Sequence, residues 1–205
     1  MTRLFTTLSI SAAALLASTL SFANIATGEN VSDMTVKTAS GKVHNLSDFA
    51  GKRVVLEWTN HGCPYVKKHY ETNNMQDLQK HATADSDTVW LSVISSAEGK
   101  QGYLTGPEAI NKNIERGSEP RAVVLDPKGT MGRTFSAKTT PHMFIIDESQ
   151  TLVYQGAIDD NRSASPATVE GAQNYVLAAL NDLDAGRAVQ TDTTSPYGCS
   201  VKYKR

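Results

Sequence analysis

Cysteine is scarce in this chain, with two in 205 residues, Cys63 and Cys199. So few exclude a scaffold stapled by several disulfides and leave either a single structural bridge or a redox couple. Charge of one sign is lacking too: 20 basic side chains face 21 acidic ones, for a formal net charge of −1. That balance argues against nucleic acid or anionic lipid as the main partner. No glycine-rich phosphate loop or other cofactor motif occurs, so no cofactor is expected and any electrons must come from a partner. Internal repeats and low-complexity segments are absent, and so are long apolar runs beyond one at the start. There Arg3 precedes an acid-free stretch from Leu4 to Leu20 that ends in "SFA". This is the layout of a secretory signal peptide over residues 1–23, cleaved near Ala23. Nothing else reaches the roughly 20 apolar residues that a membrane span needs, so no span is expected after cleavage.

The remainder reads as one domain over 24–186 followed by a polar tail, 187–205, that carries Cys199. "MTVKTASGKVHNL" alternates apolar and polar residues around a turn at Gly41, which predicts a hairpin. "VVLEW" at 54–58 is a nearly continuous apolar run, the pattern of a strand buried on both faces. Helical spacing follows from Tyr65, with Val66, Tyr70, Met75 and Leu78 as its inner face. A strand at 89–94, a helix between Pro107 and Gly117, and "RAVVLD" come next. "PHMFIID" and "TLVYQGAI" predict an antiparallel pair, and residues 166–186 predict one long amphipathic helix stopped by Gly186. Strands alternating with helices, then a hairpin and a final helix, define an α/β class.

Chemistry concentrates at "WTNHGCPYVKKH". A helix that starts at Pro64 turns its unpaired N–H groups and the positive end of its dipole towards Cys63. His61 and Lys67 stand close enough in sequence to add positive potential, and a thiol so placed ionises below the ordinary range of about 8.5. The alternative is a buried cysteine that packs as a small hydrophobe. In "KTTPHMFIID", Pro141 marks either the first residue of a strand or a cis turn beside it. His44, His69 and His81 read as solvated, the lysine pair at 67 and 68 as a helix flank, and Asp159 with Asp160 as turn-formers.

Taken together, "WTNHGCPYVKKHY", "TTPHMFIID", "GAIDDN" and "YGCSVKY" resemble exported bacterial redoxin-domain proteins of the thioredoxin-like superfamily. That group is related to peroxiredoxins, including alkyl hydroperoxide reductase C and thiol-specific antioxidant proteins. The resemblance implies a thioredoxin-like fold with an N-terminal β-hairpin extension and a central mixed sheet flanked by helices. It implies a periplasmic thiol oxidoreductase with Cys63 as nucleophile and Cys199 as resolving thiol, acting on a peroxide or a protein disulfide and served by a periplasmic dithiol reductant. Pro141 is then cis and packs beside Cys63, and the Thr140 backbone is open to an extended partner chain.

The sequence also departs from both parent patterns. Val66 stands where thioredoxins carry a second cysteine, and Asn60 and Leu56 stand where peroxiredoxins carry Thr or Ser and Pro. Asn60 is expected to offer its amide to a peroxide oxygen, and Arg133 is a candidate for the peroxiredoxin arginine. Two non-enzymatic alternatives stay open: a binding module with a permanent Cys63–Cys199 bridge, and a Cu(I) carrier using His61, Cys63, His142, Met143 and Cys199. No metal site is assigned.

Overall fold

A computed structural model describes residues 24–204. The expected signal peptide and its cleavage point therefore lie outside the described residues. The apolar run becomes strand β3 (Arg53–Trp58), preceded by the hairpin of β1 (Thr35–Lys37) and β2 (Val43–Asn45). Gly41 turns that hairpin with φ of 85°, a conformation that costs glycine little. After β3 come α1 (Pro64–Glu71), α2 (Asn74–Ala82), β4 (Thr88–Ile94), α3 (Gly106–Glu115), β5 (Ala122–Leu125) and α4 (Thr130–Thr134). The chain continues through β6 (Thr139–Thr140), β7 (His142–Ile146), β8 (Leu152–Gly156), α5 (Tyr175–Asp184) and β9 (Cys199–Ser200).

Five strands form one sheet in the order β5-β4-β3-β7-β8, so β3 lies at its centre. It pairs in parallel with β4 and antiparallel with β7, and is buried from Val54 to Trp58. Helical crossovers are needed on the parallel side, and α1–α2 and α3 supply them. Alternate residues of the strands serve two separate cores. Val55 and Ile145 pack with Tyr70, Trp90 and Leu180 on one face. On the other, Trp58 meets Phe135 at 5.5 Å and Phe144 at 4.9 Å between ring centroids. The α/β class, the N-terminal hairpin and the mixed, helix-flanked sheet are as expected.

Two elements differ from expectation. The helix after Tyr65 is two helices, because the chain breaks at Asn73, whose φ of 59° is left-handed. The final helix starts at Tyr175 rather than 166: Gly171 takes φ of 78°, and the Asn174 side chain caps the new start by accepting from Leu177 N at 2.9 Å.

Ionisable residues are also found inside. Glu57, within the apolar run, is fully buried, and its carboxylate accepts from Tyr70 Oη (2.7 and 3.0 Å), Trp90 Nε1 (3.1 Å), Ser92 Oγ (3.1 Å) and Gln79 Nε2 (3.3 Å). Such saturation is what a buried polar group requires. His69, expected on the surface, is buried, and burial together with the Lys68 charge lowers its pKa to about 3. His142 is likewise buried, and burial together with Lys138 lowers its pKa to about 3.

These rings give the fold a predictable acid response. Each has a folded pKa below its unfolded value of 6.5, so between the two values only the unfolded chain binds the proton. Their stabilisation is complete above pH 6.5 and is lost as pH falls towards 3, at about 1.4 kcal/mol per pH unit for each ring. Urea unfolding at pH 7.5 and 5.0 measures this, and superimposable curves would contradict neutral burial of the two rings.

Candidate active site

The site is built where β3 ends. Asn60 shapes the turn after Trp58: its side-chain Oδ1 accepts from Gly62 N at 3.0 Å and its carbonyl accepts from Cys63 N at 2.9 Å. This places Cys63 at the N-cap of α1 with Pro64 in the first turn, and the Cys63 carbonyl accepts from Val66 N and Lys67 N. The sulfur is turned inwards. Cys63 is 1% exposed, and its thiol donates to the Thr140 carbonyl at 3.1 Å. The Thr140–Pro141 peptide beside it is cis, as the resemblance implied.

Cys199 reaches the same place through a two-stranded ladder. Strand β6 pairs antiparallel with β9, setting Thr140 opposite Cys199 and Thr139 opposite Ser200. The two side chains are free thiols, Cys63 buried and Cys199 half-buried, and each shifts the ionisation of the other. Burial pushes the Cys63 pKa up, but hydrogen bonds from the Cys199 thiol, the Thr140 side chain and the backbone N–H groups of Cys199 and Val66 outweigh it. The net position is below the ordinary thiol value. Cys199 moves the other way, to about 11, through burial and through its role as donor to Cys63. The pair is thus split into one sulfur suited to the thiolate and one that holds its proton.

Other sequence candidates take different places. The Thr140 edge, expected to be open to an extended partner, is filled by the chain's own β9. Asn60 is a scaffold for the turn, with its amide nitrogen committed to Gln101 Oε1 at 2.7 Å and to the Gln101 carbonyl at 3.3 Å, so it does not face an incoming peroxide. His61 does not add the expected positive charge, because burial and the cations Lys112, Arg116 and Lys67 lower its pKa. Lys67 is exposed and is not among the main causes of the Cys63 shift. Arg133 belongs to the tail, donating to the Lys204 carbonyl at 2.8 Å and stacking 4.7 Å from the Tyr203 ring centroid. His142 accepts from Lys138 N at 3.2 Å and packs 4.4 Å from Phe144 between ring centroids. Among the described residues no group of three or more His, Cys, Asp or Glu side chains is placed to hold a metal ion.

What sequence reasoning missed is the anchor of the tail. Lys68, read as solvated, is 1% exposed, and its Nζ donates to the carbonyls of Asn161 (2.9 Å) and Ser163 (3.1 Å) and stands 3.5 Å from Asp159 Oδ2. Asp159, read as a turn-former, is 3% exposed and accepts from the Tyr197 hydroxyl. His69 Nε2 lies 3.3 Å from the same hydroxyl. Tyr197 is thereby tied to the helix that Cys63 caps, two residues before Cys199. Gly198 completes the approach, since its φ is 132° and a Cβ there would stand 2.1 Å from the Thr140 carbonyl oxygen.

A β-strand, a cysteine-capped helix, a cis-proline edge and the mixed sheet together define a thioredoxin-like protein. The Redoxin family model matches residues 26–175, and the chain belongs to the redoxin family. Membership supports a thiol-redox enzyme in general; the match ends before Cys199. Among solved structures, a hypothetical protein from Sinorhizobium meliloti superposes with a TM-score of 0.71 at 19% identity, covering 88% of this chain and 96% of the other. An uncharacterized conserved protein from Geobacillus kaustophilus gives 0.71 at 20% identity, covering 88% and 93%. A Bacteroides thetaiotaomicron protein described as a candidate protein disulfide isomerase gives 0.56 at 15% identity, covering 82% and 92%. No curated protein matches the chain.

Because the tail sets the ionisation of Cys63, alkylation by iodoacetamide should rise through a pH midpoint below that of an ordinary thiol. In Gly198→Ala, which forces Cys199 away, the midpoint should move up towards the ordinary value. An unchanged midpoint in the variant would show that Cys199 does not stabilise the thiolate.

Proposed function

We propose that the protein is an exported, periplasmic, peroxiredoxin-like antioxidant thiol oxidoreductase, with Cys63 as the nucleophile and Cys199 as its resolving thiol. The observation that carries this reading is the Thr140–Cys199 pairing, which holds the second sulfur against the first. Export rests on the signal-peptide pattern of residues 1–23.

In this mechanism the Cys63 thiolate attacks the distal oxygen of a peroxide and the O–O bond breaks, giving Cys63 sulfenic acid and an alkoxide or hydroxide that takes up a proton from solvent and leaves as alcohol or water. The Cys199 sulfur then attacks the Cys63 sulfur and loses its proton. Hydroxide leaves as water, and a Cys63–Cys199 disulfide forms. A periplasmic dithiol protein returns both sulfurs to thiols. The closed tail favours peroxide over a protein disulfide as the oxidant, because Cys63 is 1% exposed and β9 fills the edge where an extended chain would pair. Attack on a protein disulfide uses the same two sulfurs but requires β9 to leave Thr140. The copper-carrier reading loses His142 to Lys138 and Phe144.

The test is oxidation of the anaerobically reduced protein, residues 24–205, by hydrogen peroxide, with mass-spectrometric mapping of the products. Fast consumption with a Cys63–Cys199 disulfide is expected, and Cys199→Ser should accumulate a trappable sulfenic acid at Cys63. Oxidation no faster than that of a free thiol would remove the peroxidase reading.

A further inference from the structure

Beside Cys199 the tail and the main domain enclose an open groove of about 690 Å³, lined by Lys100, Arg133, Lys202 and Lys204 together with Ser200, Val201 and Tyr203. Among the described residues, four of the seven that line it are cations and none is a carboxylate. In a chain of formal net charge −1, this is a local concentration and not a general property. Glu98, close to Lys100 in sequence, is not part of the lining.

The groove is held in shape. Lys202 accepts from Ala97 N at 2.8 Å, Val201 N donates to the Lys138 carbonyl at 3.0 Å, and Arg133 holds the Lys204 carbonyl at 2.8 Å. Tyr203 donates to the Ala137 carbonyl at 2.7 Å and lies so close over Gly129 and Gly132 that a Cβ at either would meet its ring or hydroxyl within 2.5 Å. The Lys202 charge acts on Cys199, so the cationic surface begins at that sulfur.

We propose that this groove docks an acidic-faced dithiol protein, which reduces the Cys63–Cys199 disulfide by attacking Cys199. The proposal rests on the two-cysteine reading above and adds the chemistry of the reductant and the sulfur it strikes. Cys199 is the half-buried partner, whereas Cys63 is closed off by β9 and Thr140. A partner thiolate bonds to Cys199 Sγ, the Cys63–Cys199 bond breaks, and Cys63 leaves as the thiolate. The lower-pKa sulfur is the better leaving group. The partner's second thiol then attacks its own sulfur in the mixed disulfide, Cys199 leaves and takes up a proton, and the partner departs as a disulfide. Two electrons pass from the partner to this chain.

The experiment uses the protein, residues 24–205, oxidised to the disulfide, and two peptides that share a Cys-Gly-Pro-Cys core, one flanked by glutamates and the other by lysines. Each rate is divided by that peptide's rate on uncharged 2-hydroxyethyl disulfide. The acidic peptide should be faster by about tenfold or more at low salt, and the advantage should shrink in high salt. It should also collapse in the Lys100→Glu/Lys204→Glu variant, relative to reduction of the same variant by dithiothreitol. Equal normalised rates for the two peptides on the parent protein, or an advantage that ignores salt, would overturn the docking proposal and leave the two-cysteine reading standing. If oxidation yields no Cys63–Cys199 disulfide, the two-cysteine reading fails first and the docking proposal falls with it.

Discussion

The antiparallel pairing of Thr140 with Cys199 is the contact on which the rest of the site depends. It closes the edge beside the cis-proline, covers the Cys63 sulfur, and supplies the thiol and backbone donors that favour its ionised form. Without it Cys63 would be a cysteine at a helix start, with the dipole and backbone N–H groups of α1 but no second sulfur. With it, the same few atoms set thiolate stability, restrict what can approach, and hold the second sulfur in position. The pairing needs a residue without a side chain at 198, because the backbone there passes against the Thr140 carbonyl.

A two-residue ladder is too short to hold a tail by itself, since isolated short strand pairs are marginal in water. The buried Lys68–Asp159–Tyr197 cluster makes up the difference on one side of Cys199, and the seat of Tyr203 on Gly129 and Gly132 does so on the other. Removing one partner of a buried ion pair costs about 3–5 kcal/mol, because the other charge is left uncompensated. The lysine ammonium is also bound to two backbone carbonyls, so its charge is shared with the loop that follows Asp159. Helix α1 thereby links Cys63 at its N-cap to the anchor of Cys199 along its length.

Much of this was legible in the sequence. The continuous apolar run of β3, the Gly41 hairpin and the Cys-Pro helix start each rest on local rules, and each appears in the fold. Cys199 could be named as the partner because it is the second of only two cysteines, but the ladder that delivers it joins segments sixty residues apart and leaves no local pattern. The long-range polar contacts were hidden for the same reason. Glu57 sits in an apolar strand and depends on donors from α1, α2 and β4, and Lys68 looks like any surface lysine until Asp159 and Tyr197 are placed around it. One signal was overlooked: His69 follows Val66 by three residues, which puts it on the inward face of α1. Asn174 as a cap and Gly171 as a stop were also present in the residues 166–186, where the apolar periodicity outweighed them.

The central claim is that Cys199 is held against Cys63 by its own chain. The equilibrium between the dithiol and the Cys63–Cys199 disulfide in glutathione buffers reports the effective concentration of one sulfur at the other. A flexible tail gives a value in the millimolar range. The structure predicts an effective concentration far above that and unaffected by dilution of the protein, whereas a millimolar value, or one that falls on dilution, would contradict a tail paired in place.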